Sequence, residues 1–159
     1  MSVYEETQAI LNTYKIQANK SLGQNFLIDD CVIEKIIESS NIEKEDLIIE
    51  IGPGLGVLTE RLLKKSNNVV VIELDKKMIE ILQNRFCLNR NLEIINNDVL
   101  KVDLEKLIKN KKEQTNINKV KIVANLPYYI STPIIMKLLE NRLEISEIIV
   151  MVQKEVAER

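Results

Sequence analysis

Apolar and polar positions along the chain follow two alternating patterns. Short runs rich in Val, Ile and Leu are separated by longer stretches in which apolar residues recur every three or four positions. The first pattern is typical of buried β-strands and the second of amphipathic α-helices. The predicted strands are 47–51, 69–72, 92–95, 120–123 and 145–152. The predicted helices are 5–14, a segment that follows Asp29-Asp30, 55–65, 76–86, 104–112 and 134–140.

Strands that alternate with helices predict an α/β fold with a doubly wound, mostly parallel sheet and helices on both faces. Residues 1–30 precede this alternation and are predicted to be an N-terminal arm, and residues 31–159 are predicted to be one α/β domain. Ligands of such sheets bind beyond the carboxyl ends of the strands, near the point where the strand order reverses. We therefore expect the functional residues directly after the strands.

Composition excludes several classes of chemistry. The 159 residues suit one domain, and 22 basic against 24 acidic residues leave a net charge of −2. The absence of histidine excludes Ser–His and Cys–His nucleophile pairs and His-ligated zinc, and no metal site is predicted. Two cysteines cannot form a disulfide scaffold, which favours a reducing cytoplasm. No apolar run approaches the roughly 20 residues of a membrane span, and no signal peptide is predicted.

A glycine-rich segment follows the first predicted strand. Gly52, Gly54 and Gly56 form a GxGxG pattern, which lacks the third glycine of the dinucleotide fingerprint and so disfavours NAD and FAD. A tight turn of this kind lets a ligand lie against bare backbone. The alternative is a plain turn between strand and helix.

An acidic residue follows each of the next two strands. Glu73 lies 21 residues after Gly52, where a carboxylate can accept hydrogen bonds from both hydroxyls of a ribose. Alternatively, Glu73 caps the helix that begins at Lys76. Asp98 follows the third strand and can accept from the amino group of an adenine, or it is a simple turn aspartate.

The segment Asn125-Leu126-Pro127-Tyr128 follows the fourth strand. The Asn125 side-chain oxygen and the Leu126 carbonyl can accept hydrogen bonds from the two N–H groups of an exocyclic amine. Pro127 fixes the backbone that follows them. Holding the amine in this way directs its lone pair at an electrophile. Tyr128 can stack on an extruded base. The alternative is a loop with an aromatic plug.

These segments occur in the order found in the ribosomal RNA adenine N6-dimethyltransferases, which the chain resembles over nearly its whole length. The similarity is greatest to the bacterial 16S rRNA branch. The shared motifs are Gln24-Asn-Phe-Leu27, Glu50-Ile-Gly-Pro-Gly-Leu-Gly56, Glu73-Leu-Asp75, Asn97-Asp98 and Asn125-Leu-Pro-Tyr-Tyr-Ile-Ser131.

The resemblance implies a Rossmann-like class I methyltransferase fold and S-adenosylmethionine as the methyl donor. It implies N6-dimethylation of two adjacent adenines in 16S rRNA, within the small ribosomal subunit or its precursor in the cytoplasm. It also implies that the N-terminal arm contributes to the donor site. The donor contacts implied in this way are Asn25, Leu27, Gly52, Glu73, Asp98 and Asn125, with Gly54 of the same turn.

The family continues into further strands and a helical C-terminal domain, so we expect the chain to be a catalytic-core fragment with a C-terminally incomplete sheet. A non-catalytic RNA-binding or ribosome-assembly factor that retains the fold is the main alternative. The related 23S rRNA branch usually has Ile where this chain has Leu126 and tends to have Phe where it has Val156. Methyltransferases for protein glutamine or DNA bases usually have Asn-Pro-Pro-Tyr, which Leu126 also disfavours.

Overall fold

The structure is a computed structural model that describes residues 1–17, 29–126, 131–140 and 143–151. Its helices are α1 (Val3–Tyr14), α2 (Asp30–Ser40), α3 (Val57–Lys65), α4 (Lys76–Arg85), α5 (Leu104–Gln114) and α6 (Ser131–Glu140). Its strands are β1 (Leu47–Ile51), β2 (Asn68–Glu73), β3 (Leu92–Asn96), β4 (Val120–Asn125) and β5 (Glu147–Met151). A short 3₁₀ helix, Val99–Lys101, precedes α5. All predicted elements within these ranges are present.

The five strands form one sheet in the order β3-β2-β1-β4-β5, and all four neighbouring pairs are parallel. Ile51 at the end of β1 lies beside Ile72 of β2 and Ala124 of β4. The chain builds outward from β1 through β2 and β3, then crosses to the other side for β4 and β5. This confirms the doubly wound parallel sheet and puts its switch point between β1 and β4.

The sheet is covered by an apolar core on each face. Helices α1 to α4 pack against Ile48, Val71 and Val123, whereas α5 and α6 pack against Ile49 and Ile122 on the opposite face. The central strands are therefore buried on both sides, which explains why they are continuous apolar runs. Each fully buried Ile or Leu in them contributes roughly 1.5–3 kcal/mol.

Three helices begin at residues other than those predicted. Helix α1 begins at Val3 because the Ser2 hydroxyl accepts from the Glu5 N–H and the Glu5 carboxylate accepts from the Ser2 N–H. Helix α3 begins at Val57 and not at residue 55, because Gly56 adopts a left-handed φ of 87°. Helix α6 begins three residues early, at Ser131, with its proline in the first turn, where no N–H partner is needed.

Within the described ranges, no helix combines the length and the apolar character that a membrane crossing requires.

Candidate active site

The four predicted functional segments follow neighbouring strands. In the order β3, β2, β1 and β4, the strands end at Asn96, Glu73, Ile51 and Asn125. Because the strands are parallel, the segments that follow them lie at one edge of the sheet. The glycine-rich turn after β1 and the Asn125 segment after β4 flank the switch point. The structure thus brings together segments that are far apart in the sequence. Gly52 and Asn125, for example, are separated by 73 positions.

The glycine-rich segment forms the predicted tight turn. Gly52, Gly54 and Gly56 have φ values of 70°, 58° and 87°, a region that residues with a side chain rarely adopt. The Gly52 N–H donates to the Ile72 carbonyl at 2.9 Å, and the Gly56 N–H donates to the Pro53 carbonyl at 3.0 Å. The three glycines are therefore required by the backbone path from β1 into α3.

Glu73 joins the end of β2 to this turn. Its Oε2 accepts from the Gly54 N–H at 3.0 Å, and its Oε1 accepts from the Asp75 N–H at 3.0 Å. Burial raises the pKa of the Glu73 carboxyl, although these two backbone hydrogen bonds oppose the effect. The cap of α4 is Asp75, whose Oδ1 accepts from the Lys77 N–H at 2.9 Å. Glu73 supports the residue before the helix and does not itself cap it.

A second buried carboxyl, Glu50, lies in β1, two residues before Gly52. Its Oε2 accepts from the Thr59 hydroxyl of α3 at 2.5 Å. Burial raises the pKa of Glu50 to about 8; the Thr59 hydrogen bond opposes this shift and the nearby Glu73 adds to it. No motif in the sequence assigns Glu50 a role of its own. The signal that marks it is an acidic residue in the otherwise apolar strand LIIEI.

Asp98 begins the 3₁₀ helix that follows β3. Its Oδ1 accepts from the Leu100 N–H at 2.9 Å, which is the turn role considered as its alternative. Lys137 of α6 secures the same turn, because its Nζ donates to the Val99 carbonyl at 2.7 Å and to the Val102 carbonyl at 2.6 Å. Burial lowers the pKa of Lys137, and Asp98 opposes that shift. The sequence alone does not identify Lys137, because no local pattern relates it to the Asp98 turn.

Asn125 and Leu126 lie where β4 leaves the sheet. Asn125 is the last residue of β4, is half-buried and lies beside Met151 of β5. The Leu126 N–H donates to the Met151 carbonyl at 3.2 Å, and the Leu126 side chain is buried in the core beneath α5 and α6. The sheet edge and the core therefore hold the backbone at the start of this segment.

Four predicted site residues lie outside the described residues: Pro127, Tyr128, Asn25 and Leu27. Their roles remain predictions. Among the described residues there is no group of three or more His, Cys, Asp or Glu side chains arranged to hold a metal ion.

A parallel sheet in this strand order, with a glycine turn after β1 and a carboxylate at the end of β2, has the Rossmann-like architecture of class I methyltransferases. A dimethyladenosine transferase from Plasmodium falciparum aligns with 85% of the chain at a TM-score of 0.70 and 32% identity. The 23S rRNA methyltransferase ErmE aligns with 84% of the chain at a TM-score of 0.70 and 26% identity. These alignments cover 46% and 50% of the respective solved chains.

The sequence model of one protein family, described as ribosomal RNA adenine dimethylase, matches residues 15–159. The ribosomal RNA small subunit methyltransferase A of Alkaliphilus metalliredigens is 47% identical over 97% of the chain, and that of Clostridioides difficile is 47% identical over all of it. The chain belongs to the ribosomal RNA adenine dimethylase family. It spans about half the length of these curated relatives, 53% and 54% respectively.

Proposed function

We propose that the chain is the catalytic core of an S-adenosylmethionine-dependent enzyme that N6-dimethylates two adjacent adenines in 16S rRNA. The observation that carries the proposal is the meeting of the four strand-end segments at one sheet edge, beside the switch point. Identities of 47% to small subunit methyltransferases, against 26% to ErmE, favour 16S over 23S rRNA.

The donor lies over the ends of β1, β2 and β3 in this proposal. Gly52 and Gly54 let it approach the backbone of the turn. Glu73 accepts from its ribose hydroxyls, and Asp98 accepts from its adenine amino group. The fit is supported by the buried Glu73 carboxylate, which is fixed against the Gly54 N–H and so requires little reorganisation to receive hydroxyl donors. When bound, S-adenosylmethionine supplies an electrophilic methyl group on a sulfonium.

The acceptor amine lies at the end of β4, across the switch point from the donor turn. The lone pair of an adenine N6 amine is delocalised into the ring, so the amine is a poor nucleophile. The Asn125 side-chain oxygen and the Leu126 carbonyl accept hydrogen bonds from the N–H groups of this amine, which directs the lone pair toward the methyl group and stabilises the positive charge that develops on nitrogen. Leu126 is suited to this task because its N–H is held by Met151 and its side chain by the core.

The remaining roles fall on the residues outside the described ranges. Tyr128 stacks on the extruded adenine, and Pro127 fixes the backbone beside it. Asn25 and Leu27 close the donor site from the N-terminal arm, residues 1–30, while residues 31–159 form the donor-binding domain. The partner is 16S rRNA in the small ribosomal subunit or its precursor, in the cytoplasm.

The test is methyl transfer from labelled S-adenosylmethionine to 30S subunits that lack the two dimethyladenines. Label in two adjacent adenines of 16S rRNA is the expected result. Naked 23S rRNA serves as the comparison substrate, and label there instead would assign the chain to the other branch.

Thermal unfolding with and without S-adenosylhomocysteine accompanies the assay. A ligand-dependent rise in melting temperature without any transfer would support the non-catalytic factor. The absence of both would contradict the donor site itself.

A further inference from the structure

The Arg85 guanidinium connects the N-terminal helix to the glycine turn. Arg85, the last residue of α4, donates from Nη1 to the Leu55 carbonyl within the turn. Its Nη2 donates to Glu6 Oε1 of α1 at 2.9 Å. The Arg85 and Glu6 side chains are each only 15% exposed. Arg85 thus bridges α1 and the glycine turn, and it lies 79 positions from Glu6 in the sequence.

The peptide group between Leu55 and Gly56 is held from both sides. Its carbonyl accepts from Arg85, and its N–H donates to the Pro53 carbonyl at 3.0 Å. At Gly56 the turn lies flat on α4, because a Cβ added there would be 2.6 Å from Phe86 Cε2 and 2.8 Å from Leu82 Cδ2. The orientation of this peptide therefore depends on where the Arg85 guanidinium is held.

Glu6 holds that guanidinium and a second one. Glu6 Oε2 accepts from both Nη1 and Nη2 of Arg61 at 3.2 Å. Arg61 Nη1 also donates to the carbonyl of Val57 at 2.7 Å, and Val57 is the first residue after the glycine turn. The Glu6 carboxylate thus links α1 to two arginines that bond the backbone on either side of Gly56. Glu60 of α3 pairs with the same two arginines, at 3.3 Å from Arg85 Nη2 and 3.8 Å from Arg61 Nη1, but does not connect them to α1.

Helix α1 is itself fixed to the domain. Val3 and Thr7 are buried, and the Val3 N–H donates to Asp30 Oδ1 of α2 at 3.1 Å. Glu6 is therefore presented to the arginines from a docked helix. Exposed ion pairs contribute little to stability, but charge-assisted hydrogen bonds from a guanidinium to backbone carbonyls are stronger and directional.

We propose that Glu6 is a positioning residue for the glycine turn: through Arg85 and Arg61 it makes the order of the turn depend on the docking of α1. The consequence for donor affinity rests on the proposed function, since it requires that the donor bind at this turn.

The positioning itself is tested without any ligand, by amide hydrogen exchange in Glu6→Gln and Arg85→Lys. Glutamine at 6 keeps an acceptor but loses the charge, and lysine at 85 keeps the charge but cannot bond Leu55 and Glu6 together in a fork. Glu93→Gln is the control, because it breaks an ion pair with Lys111 that is remote from the turn. The amides of β1 report global unfolding and serve as the internal reference.

We expect the Gly54, Gly56 and Val57 amides to exchange at least about fivefold faster than in the parent, relative to β1, in both variants and not in the control. Parental rates at these amides, with faster exchange confined to α1, would overturn the proposal, because α1 would then be fastened to the turn without ordering it.

Calorimetric titration with S-adenosylhomocysteine tests the consequence. The Kd is expected to rise about tenfold in Glu6→Gln and in Arg85→Lys, and less than about twofold in Glu93→Gln. An unchanged Kd in Glu6→Gln would contradict the coupling to the donor. A parent chain that does not bind S-adenosylhomocysteine would instead contradict the proposed function, and the exchange rates would still decide whether Glu6 orders the turn.

Discussion

Glu50 is a carboxylic acid within an apolar strand, and its position gives the fold a pH dependence. Burial raises its pKa from 4.5 to about 8. Between these pH values the folded chain retains a proton that the unfolded chain releases, so stability falls as pH rises through this window. A shift of this size corresponds to at most roughly 5 kcal/mol.

Urea unfolding at several pH values from about 5 to 8 checks this prediction, with Glu50→Gln beside the parent. Glutamine keeps an acceptor for Thr59 but does not titrate. The parent is expected to lose stability over this range, and Glu50→Gln is expected to lose less, the remainder coming from Glu73. Equal pH slopes for the two proteins would show that Glu50 ionises in the folded state much as it does in the unfolded state. Glu93→Gln is the control, because it removes a carboxyl that is exposed in the fold.

Glu73 carries the second prediction at this scale. If its carboxylate accepts from ribose hydroxyls, Glu73→Ala removes charged hydrogen bonds that contribute roughly 1.5–3 kcal/mol each, so affinity for S-adenosylhomocysteine falls at least about tenfold. Glu73→Gln keeps one acceptor for the Gly54 N–H but loses the charge. It therefore distinguishes the role of Glu73 in supporting the turn from its role in contacting the ligand. Because binding needs the ionised carboxyl and burial raises the pKa of Glu73, parent affinity also weakens as the solution is acidified. An unchanged affinity in Glu73→Ala, measured by calorimetry, would refute the ribose contact.

At the scale of elements, a buried lysine of strand β4 binds the C-terminal end of helix α2. Lys121 of β4 donates from Nζ to the Ser40 carbonyl at 2.6 Å and the Asn41 carbonyl at 2.8 Å, and lies 3.3 Å from Asp46 Oδ2. Lys121 and Asp46 are almost fully buried. This ion pair joins the end of α2, the approach to β1 and the strand that carries Asn125.

Lys121→Met is expected to destabilise the fold by about 3–5 kcal/mol, because it preserves volume but leaves the Asp46 carboxylate buried without its cation. Denaturant unfolding measures the loss. The double variant Lys121→Met/Asp46→Asn removes both charges and is expected to recover part of it. A single-variant cost below about 1 kcal/mol would show that water reaches Asp46.

The elements that the sequence predicts well are those with a strong local pattern. Strand β1 matches its predicted bounds because its five apolar-rich residues end at a glycine, and β2 differs by one residue at each end. Helix starts are less accurate, because the capping box of α1 and the left-handed Gly56 act through single residues outside the apolar stripe.

Features that lie outside local patterns also limit what the sequence predicts of the site. Strand ends locate Gly52, Glu73, Asp98 and Asn125, since parallel topology alone brings them to one edge. The contacts that support them join residues far apart, such as Glu6 with Arg85 and Lys137 with Val99, which are 79 and 38 positions apart. No short pattern links such pairs, so only the folded chain identifies them.

For the whole molecule, the order of the strands puts the proposed donor turn and the proposed acceptor segment on opposite sides of the switch point. Of the proposed donor residues, Gly52, Gly54, Glu73 and Asp98 follow β1, β2 and β3 on one side of the switch point. Asn125 and Leu126, which hold the acceptor amine in the proposal, follow β4 on the other side. A bound ligand at about 100 times its Kd stabilises a fold by about 2.7 kcal/mol, which for a chain of this size raises the melting temperature by roughly 5–10 °C. Binding and transfer can therefore be lost separately, depending on which side is altered.

Asn125→Ala is expected to keep most of the rise in melting temperature that S-adenosylhomocysteine gives. Methyl transfer to 30S subunits is expected to fall by a factor of about 100, because the amine loses an acceptor that is needed chiefly in the transition state. Glu73→Ala, the matched variant on the donor side, is expected to lose both the temperature rise and transfer at low donor concentration. Thermal unfolding and single-turnover transfer, measured on the same preparations, distinguish the two patterns. Transfer at the parental rate by Asn125→Ala would show that the amine is held by other groups, and loss of the temperature rise in that variant would assign Asn125 to the donor.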